Sequence, residues 1–473
     1  MCGIVGAVAE RNVVPILMEG LRRLEYRGYD SAGIAVPNGA DVNRVRRAGK
    51  VQELQAALDE SPLEGHTGIS HTRWATHGIP NEANAHPHVS AGDVIVVHNG
   101  IIENFEELRE QLIADGYTFE SETDTEAVAH RIHQHLQKTG DLSEAVRETV
   151  HELEGAYALA VMSVTDPDRL VIARAGAPAI VGIGEGENFV ASDIAALLPV
   201  TRNYIILEEG DVAVVDRESV TIYDINDKVV ERSVIESELT ADAAERGDFG
   251  HYMQKEIHEQ ATAVKQTLEE RTANGKVLDA AFGPAAIDVL DKTRNVHIVA
   301  CGTSYHAGLI ARYWIEDLCK LPCSVEIASE YRYRNPVVPD DTLFVTISQS
   351  GETADTLAAL RAAKERNYLS SMVICNVPES SLVRESELVL MTRAGQEIGV
   401  ASTKAFTTQL AALALLTISL ARRNGLMEEQ EKTLVAQLNE LPGLIEQVLT
   451  LDPAIEALAE HFVDKHHALF LGR

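Results

Sequence analysis

The sequence predicts two folded parts in tandem: an α+β sandwich first, then an α/β unit built on a parallel sheet. Three observations predict it. Before residue 224, several short β-rich segments follow two helical ones, a grouping of α+β packing rather than of a βαβ repeat. From Asn295 onward, apolar strands alternate with helices, as in a parallel sheet. Between the two, residues 224–250 are charged, with few large apolar side chains, and read as a linker. A length of 473 residues suits two to four domains at roughly 100–200 residues each. An apolar content of 45% supplies large cores and excludes a disordered chain.

Within the first half, residues 93–98 form a short apolar strand ending at the turn dipeptide Asn99-Gly100. Phe105, Leu108, Leu112 and Ile113 have helical spacing over 103–115, and Gly116 stops that helix. A second helix, 124–138, opens at Ser121-Glu122-Thr123-Asp124. Residues 156–164, 169–173, 179–183 and 188–191 read as strands, separated by Gly, Pro or Asp. A helix resumes at 251–271. Residues 296–301 form a strand running into Gly302-Thr303-Ser304, then a helix through 305–318. Residues 342–347 form the next, running into Ser348-Gln349-Ser350-Gly351, then a helix through 353–366. A strand at 371–375, long helices at 403–423 and 428–449, and a last strand at 468–471 complete the pattern. The expected domains are 2–240, a linker at 241–250, 251–450 and an incomplete 451–473.

A net charge of −31, spread along the chain, argues against nucleic acid and against an anionic membrane surface. Five cysteines with no C-x-x-C pair fit a reducing compartment. The first residues lack the basic and long apolar regions of a secretory signal. The apolar stretch 410–421 falls short of the roughly 20 residues that span a bilayer. A cytoplasmic protein is expected.

Four constellations carry chemistry. Removal of Met1 would leave Cys2 with a thiol and a free α-amine, a nucleophile with its own base. The bland alternative is a buried structural cysteine. Arg73, within residues 71–78 (HTRWATHG), can fork onto a carboxylate. At His98-Asn99-Gly100, an amide beside a glycine N–H could hold an oxyanion. Asp124 starts a helix, where an acid is also a common cap. No H-E-x-x-H or clustered Cys/His spacing suggests a metal.

These segments, with MCGIVG, RRLEYRGYDS at 22–31, NAHPH at 84–88, HNGIIENF at 98–105 and SETDTE at 121–126, resemble the glutaminase domain of class II glutamine amidotransferases. HYMQKEI, ACGTSY, EIASE, SQSGETADT, EIGVASTKAF and DKHHALFLGR extend the resemblance along the whole chain, to the branch that aminates fructose 6-phosphate. The resemblance implies a four-layer N-terminal-nucleophile (Ntn) hydrolase sandwich, followed by a sugar isomerase (SIS) domain. It implies Cys2 as nucleophile and Asn99 and Gly100 as oxyanion donors. It implies Arg73 on the glutamine carboxylate, Asp124 on its ammonium, and Thr76 and His77 in the same pocket. Arg27 and Tyr29 would lie in a closing loop and Trp74 at the gate to an ammonia channel.

In the second half, Gly302, Thr303, Ser304, Ser348, Gln349, Ser350 and Thr353 would hold a sugar phosphate on hydroxyls and helix-terminal N–H groups, with no basic residue needed. Val400, Ala401 and Ser402 would lie near the sugar. No metal or organic cofactor is implied. The expected partners are glutamine and fructose 6-phosphate, with a homodimer when complete. Family members continue beyond Arg473, so the resemblance implies a truncated chain that retains only glutaminase activity. Two rivals are another class II amidotransferase and a non-catalytic sugar-phosphate-binding SIS regulator. An S-G-G-x-D-S loop is absent, which disfavours an asparagine synthetase. A regulator would not need Cys2, Arg73 and Asp124 together.

Overall fold

The computed structural model describes residues 2–25, 28–74, 78–237, 247, 249–378 and 380–469. The chain divides into two compact units, Met1–Glu245 and Arg246–Arg473.

Two antiparallel sheets stack in the first unit. The larger runs in the order Val234–Glu236, Asn203–Ile206, Ile180–Ile183, Glu187–Ala191, Gly3–Ala9, Thr67–Arg73, Ser31–Asn38 and Asp41–Ala48. The smaller has seven strands, with Val94–Ile102 between His88–Ser90 and Gly155–Ser163. Side-chain alternation builds four layers from these sheets. On Gly3–Ala9, Val5, Ala7 and Ala9 pack toward the helices Val14–Leu24 and Val51–Glu60, while Ile4 and Val8 pack between the sheets. On Val94–Ile102, Ile95 and Val97 join that middle layer, and Val94 and Val96 face the helices Phe105–Ala114, Asp124–Thr139 and Leu142–Val150. A strand covered on both faces needs a continuous apolar run, which GIVGAVA and VIVV supply. This is the expected α+β four-layer sandwich.

Several local expectations are corrected. Asn99-Gly100 is not a turn: the strand runs through it, and Asn99 and Gly100 pair with Ala158 and Tyr157. Ile113 is exposed, so the apolar face of its helix is carried by Leu108 and Leu112. The charged stretch after Asp224 still contributes Val234–Glu236, which extends the larger sheet by pairing with Asn203–Ile206. Residues 238–246 and 248, where the linker is expected, lie outside the described residues.

The second unit holds a five-stranded parallel sheet in the order Cys323–Ile327, Asn295–Ala300, Thr342–Ser348, Ser370–Cys375 and Leu388–Met391. By chain order within the sheet this is 2-1-3-4-5, a doubly wound pattern. Helices cover both faces. Gly302–Trp314 and Lys404–Arg423 pack on one side, and Ala354–Lys364 on the other. Lys404–Arg423 has the length and apolarity to cross a membrane, but 78% of its apolar window is buried inside this unit. Gly302-Thr303-Ser304 is not a loop but the first turn of its helix. The strand expected at 468–471 is absent at Ala468 and Leu469, and the remaining residues lie outside the described ones.

Candidate active site

Cys2 immediately precedes the strand Gly3–Ala9, and the register Gly3↔Thr72 sets it beside the end of Thr67–Arg73. Its Sγ lies 3.2 Å from the Trp74 backbone N–H, which donates to it, and 3.5 Å from the Trp74 carbonyl. Burial raises the thiol pKa, while the Trp74 N–H and the Arg73 charge oppose that rise. The sulfur is therefore a neutral thiol at rest and needs a base to become a nucleophile.

Arg73 is buried at the last position of its strand. Its carbonyl accepts from Asp30 N at 3.2 Å, and the Thr72 hydroxyl donates to the Gly28 carbonyl. The chain around Gly28 is thereby fastened to the strand end that carries Arg73. Tyr29 and Trp74 meet edge to face, with centroids 5.5 Å apart, and both are about 40% exposed. Arg27, Thr76 and His77 lie outside the described residues.

Asn99 comes from the other sheet. Its Nδ2 donates to the Cys2 carbonyl at 3.1 Å, bringing a carboxamide to the nucleophile. Gly100 follows with φ +129, a conformation that favours glycine. Asp124 is the first residue of its helix rather than the cap, which is Thr123. The Asp124 carboxylate accepts from Ile102 N and Thr125 N, each at 3.0 Å, which pins the helix start to the strand bearing Asn99. The structure thus places Cys2, Arg73, Trp74 and Asn99 around one point where the ends of the two sheets approach. Asp124 stands on the adjoining helix. Such a set can present a thiol, an amide donor, a fork-shaped cation and a carboxylate to one small zwitterion.

A layer of buried histidines that sequence reasoning did not connect to the site lies beneath it. His71, His86, His88 and His98 are all buried, and the His71 and His86 rings stack at 4.2 Å. Burial lowers the pKa of His71 to about 3 and those of His86 and His88 well below 6.5. An unfolded histidine takes its proton near pH 6.5. The folded rings stay neutral there, so stability is full above about pH 6.5 and falls as pH drops below it toward the folded values. Each proton is worth about 1.4 kcal/mol per pH unit. Three rings therefore set a slope approaching roughly 4 kcal/mol per pH unit. The urea midpoint of this unit is expected to fall steadily from about pH 7 to 5. A flat profile would show that the folded rings accept protons.

In the second unit, Gly302–Ser304 and Ser348–Thr353 follow adjacent strands, the first and third in chain order. That is the switch point where doubly wound sheets bind ligands beyond the strand ends. The Ser/Thr runs are not ordinary caps. Neither Cys301 nor Thr353, at the cap positions, makes a side-chain capping bond. Ser348 Oγ instead accepts from Gly351 N at 3.0 Å and lies 3.2 Å from Thr353 Oγ1. Ser350 Oγ accepts from Glu352 N at 3.2 Å. Val400 and Ala401 are exposed, and Ser402 donates to the buried Glu397 at 3.2 Å. The Glu397 carboxylate also takes the N–H groups of Thr403 and Ala405, at 2.8 and 3.0 Å, which shapes that loop. Among the described residues, no three metal-ligating side chains gather.

Comparison with known proteins gives the same division. A glutamine amidotransferase domain model matches residues 71–199, and a SIS domain model matches 289–419. The chain is thus a glutamine amidotransferase unit followed by a SIS unit. It is 59% identical over 473 residues to the glutamine–fructose-6-phosphate aminotransferase (isomerizing) of Shewanella oneidensis, covering 100% of this chain and 78% of that protein. It is 58% identical over 474 residues to that of Escherichia coli K12, with the same coverage. Among solved structures, the C-terminal domain of glucosamine-fructose-6-phosphate aminotransferase from Francisella tularensis is 53% identical, with a TM-score of 0.47, over 48% of this chain and 64% of that one. The chain belongs to the glutamine–fructose-6-phosphate aminotransferase (isomerizing) family.

Proposed function

We propose that this chain hydrolyses glutamine to glutamate and ammonia at Cys2 and that, in the complete enzyme, the ammonia aminates fructose 6-phosphate to glucosamine 6-phosphate. The observation that carries the first step is the Asn99 carboxamide on the Cys2 carbonyl, with the Cys2 sulfur at the backbone N–H of Trp74, the residue after Arg73. Arg73 takes the substrate α-carboxylate and Asp124 its α-ammonium, with Thr76 and His77 in the same pocket. With Met1 removed, the Cys2 α-amine, whose ordinary pKa is about 7.7–8.0, accepts the thiol proton as sulfur attacks the amide carbon. The carbonyl oxygen becomes an oxyanion, held by the second Asn99 N–H and by Gly100 N. Return of the proton to the amide nitrogen expels ammonia and leaves a thioester on Cys2. Water then attacks the thioester, and glutamate departs. Arg27, Tyr29 and Trp74 cover the pocket, with Trp74 at the exit for ammonia.

In the second unit, hydroxyls and N–H groups of Gly302–Ser304 and Ser348–Thr353, Gln349 included, hold the sugar phosphate, and Val400, Ala401 and Ser402 flank the sugar. The complete protein works as a cytoplasmic homodimer. All of these 473 residues align with the Shewanella oneidensis enzyme, so the match gives no ground for confining the chain to the glutaminase half. The domains follow: glutaminase at 2–240, linker at 241–250, first SIS subdomain at 251–450 and the opening of a second at 451–473.

The test supplies glutamine and fructose 6-phosphate to the polypeptide and assays both products. Glutamate release is expected, and a polypeptide that releases no glutamate above background would overturn the proposal. In the same assay, Arg73→Lys should raise the KM for glutamine roughly ten- to 150-fold. A point charge replaces a planar fork, at a cost of about 1.5–3 kcal/mol. A KM within about twofold of the parent would make Arg73 a structural residue.

A further inference from the structure

We infer that His71 is a positioning residue for glutamine hydrolysis, its Nε2–H holding the Asn99 carboxamide so that the NH2 end faces the nucleophile. The inference rests on the reading of Asn99 as an oxyanion donor and adds what makes it one. The two ends of a carboxamide are nearly the same size, so packing alone does not choose between them. Hydrogen-bond partners choose. The Asn99 NH2 end meets the Cys2 carbonyl at 3.1 Å. Its Oδ1 end meets His71 Nε2 at 3.0 Å, and the same nitrogen lies 3.0 Å from the His98 carbonyl. A carbonyl only accepts, so His71 Nε2 carries the proton and donates. Turning the amide over would set oxygen against the Cys2 carbonyl and NH2 against the His71 N–H, two repulsive contacts at once.

His71 is built to hold that proton on that atom. The ring is fully buried and stacks on His86 with planes 16° apart. His86 is itself pinned, because its Nδ1 accepts from His98 N at 3.2 Å. Among the described residues, His71 Nδ1 has no hydrogen-bond partner, so none of them draws the proton to the other nitrogen. Burial keeps the ring neutral, with a pKa of about 3, which removes it from proton transfer at working pH. His71 stands on Thr67–Arg73 of one sheet and Asn99 on Val94–Ile102 of the other, so the bond ties the donor to the strand that carries Arg73.

Four variants of the full chain test this. His71→Phe keeps a stacked ring and removes the N–H. His71→Gln places an amide N–H near the former Nε2, whereas His71→Asn is too short to reach it. Asn99→Ala removes the donor itself. In His71→Phe and His71→Asn, glutaminase kcat should fall about ten- to a hundredfold, less than the ~10²–10³ of deleting an oxyanion donor. KM for glutamine should stay within about threefold, and His71→Gln should recover most of the loss. In an Asn99→Ala background, His71→Phe should cost nothing further, because its target is gone. Full activity in Asn99→Ala would sink the oxyanion reading itself. Impaired Asn99→Ala with unimpaired His71→Phe, or with losses that multiply in the double variant, would overturn the positioning role alone. Should His71→Phe fail to fold, the Gln and Asn variants decide, since equal activity of those two would overturn it as well.

Discussion

Replacing Cys2 by alanine is expected to reduce glutamate release to background, a loss of at least about 10⁴-fold. The size follows from the chemistry, since among the described residues of the site Cys2 alone carries a thiol. In the roles proposed for them, Asn99, Arg73 and Asp124 bind and polarise but carry no nucleophile. The fold should survive. Cys2 precedes the first strand, and among the described residues its sulfur hydrogen-bonds to the Trp74 backbone, at 3.2 and 3.5 Å. Cys2 as a whole is intermediate in exposure and lies outside the strand ladders, so losing one sulfur should move the thermal midpoint little. Glutamine should still bind through Arg73 and Asp124, measurable by calorimetry. A form that keeps Met1 should be equally silent, because its Cys2 nitrogen is an amide and cannot accept the thiol proton. Hydrolysis by Cys2→Ala above about a hundredth of the parent rate would sink the nucleophile assignment. Equal turnover by the form with Met1 would remove the α-amine as base.

The fold class was legible because both sheets are covered on two faces. VIVV announces a buried strand, and the strand–helix alternation after Asn295 announces a parallel sheet. In the first unit the elements before residue 93 were not read from sequence, and in the parallel sheet what escaped were the edges. Cys323–Ile327 and Leu388–Met391 are short and partly exposed, so their apolar signal is weak. They are strands two and five of the sheet, and without strand two the switch point beside Gly302–Ser304 and Ser348–Thr353 is invisible. Asn99-Gly100 misled for a different reason. Composition marks that pair as a turn, yet the cross-strand partner Gly155–Ser163 continues past it and keeps the strand paired. Cys2, Arg73 and Asp124 were legible through the motifs they sit in, since each taken singly reads as a structural residue. The His71–Asn99 bond was not, because it joins two sheets through residues 28 positions apart. The clustering of His71, His86, His88 and His98 was the one available signal, and histidines near one another in sequence more often end as separate packing residues.

Gly100→Ala should be the most damaging single methyl in the glutaminase unit. At φ +129 an L side chain is strained before any neighbour is considered. A Cβ built there falls onto the Ala156 carbonyl oxygen, with the Ala156 carbon at 2.8 Å and Tyr157 Cα at 2.9 Å. All three are backbone atoms of Gly155–Ser163, an interior strand held by ladders on both sides, so none can yield cheaply. Strain at such a backbone angle costs about 1–3 kcal/mol, and the clash adds to it. A total of at least about 3 kcal/mol corresponds to a fall of roughly 6–12 °C in the midpoint of a unit this size. Activity should fall further than in Asn99→Ala, because the variant displaces two donors together. The shifted strand would move the Gly100 N–H and carry Asn99 with it. Comparing the two variants separates the effects. Asn99→Ala should lose kcat at a nearly unchanged midpoint, whereas Gly100→Ala should lose both. A Gly100→Ala protein with parental midpoint and turnover would show that the strand relaxes freely around this position and that the positive φ at residue 100 is not needed for hydrolysis.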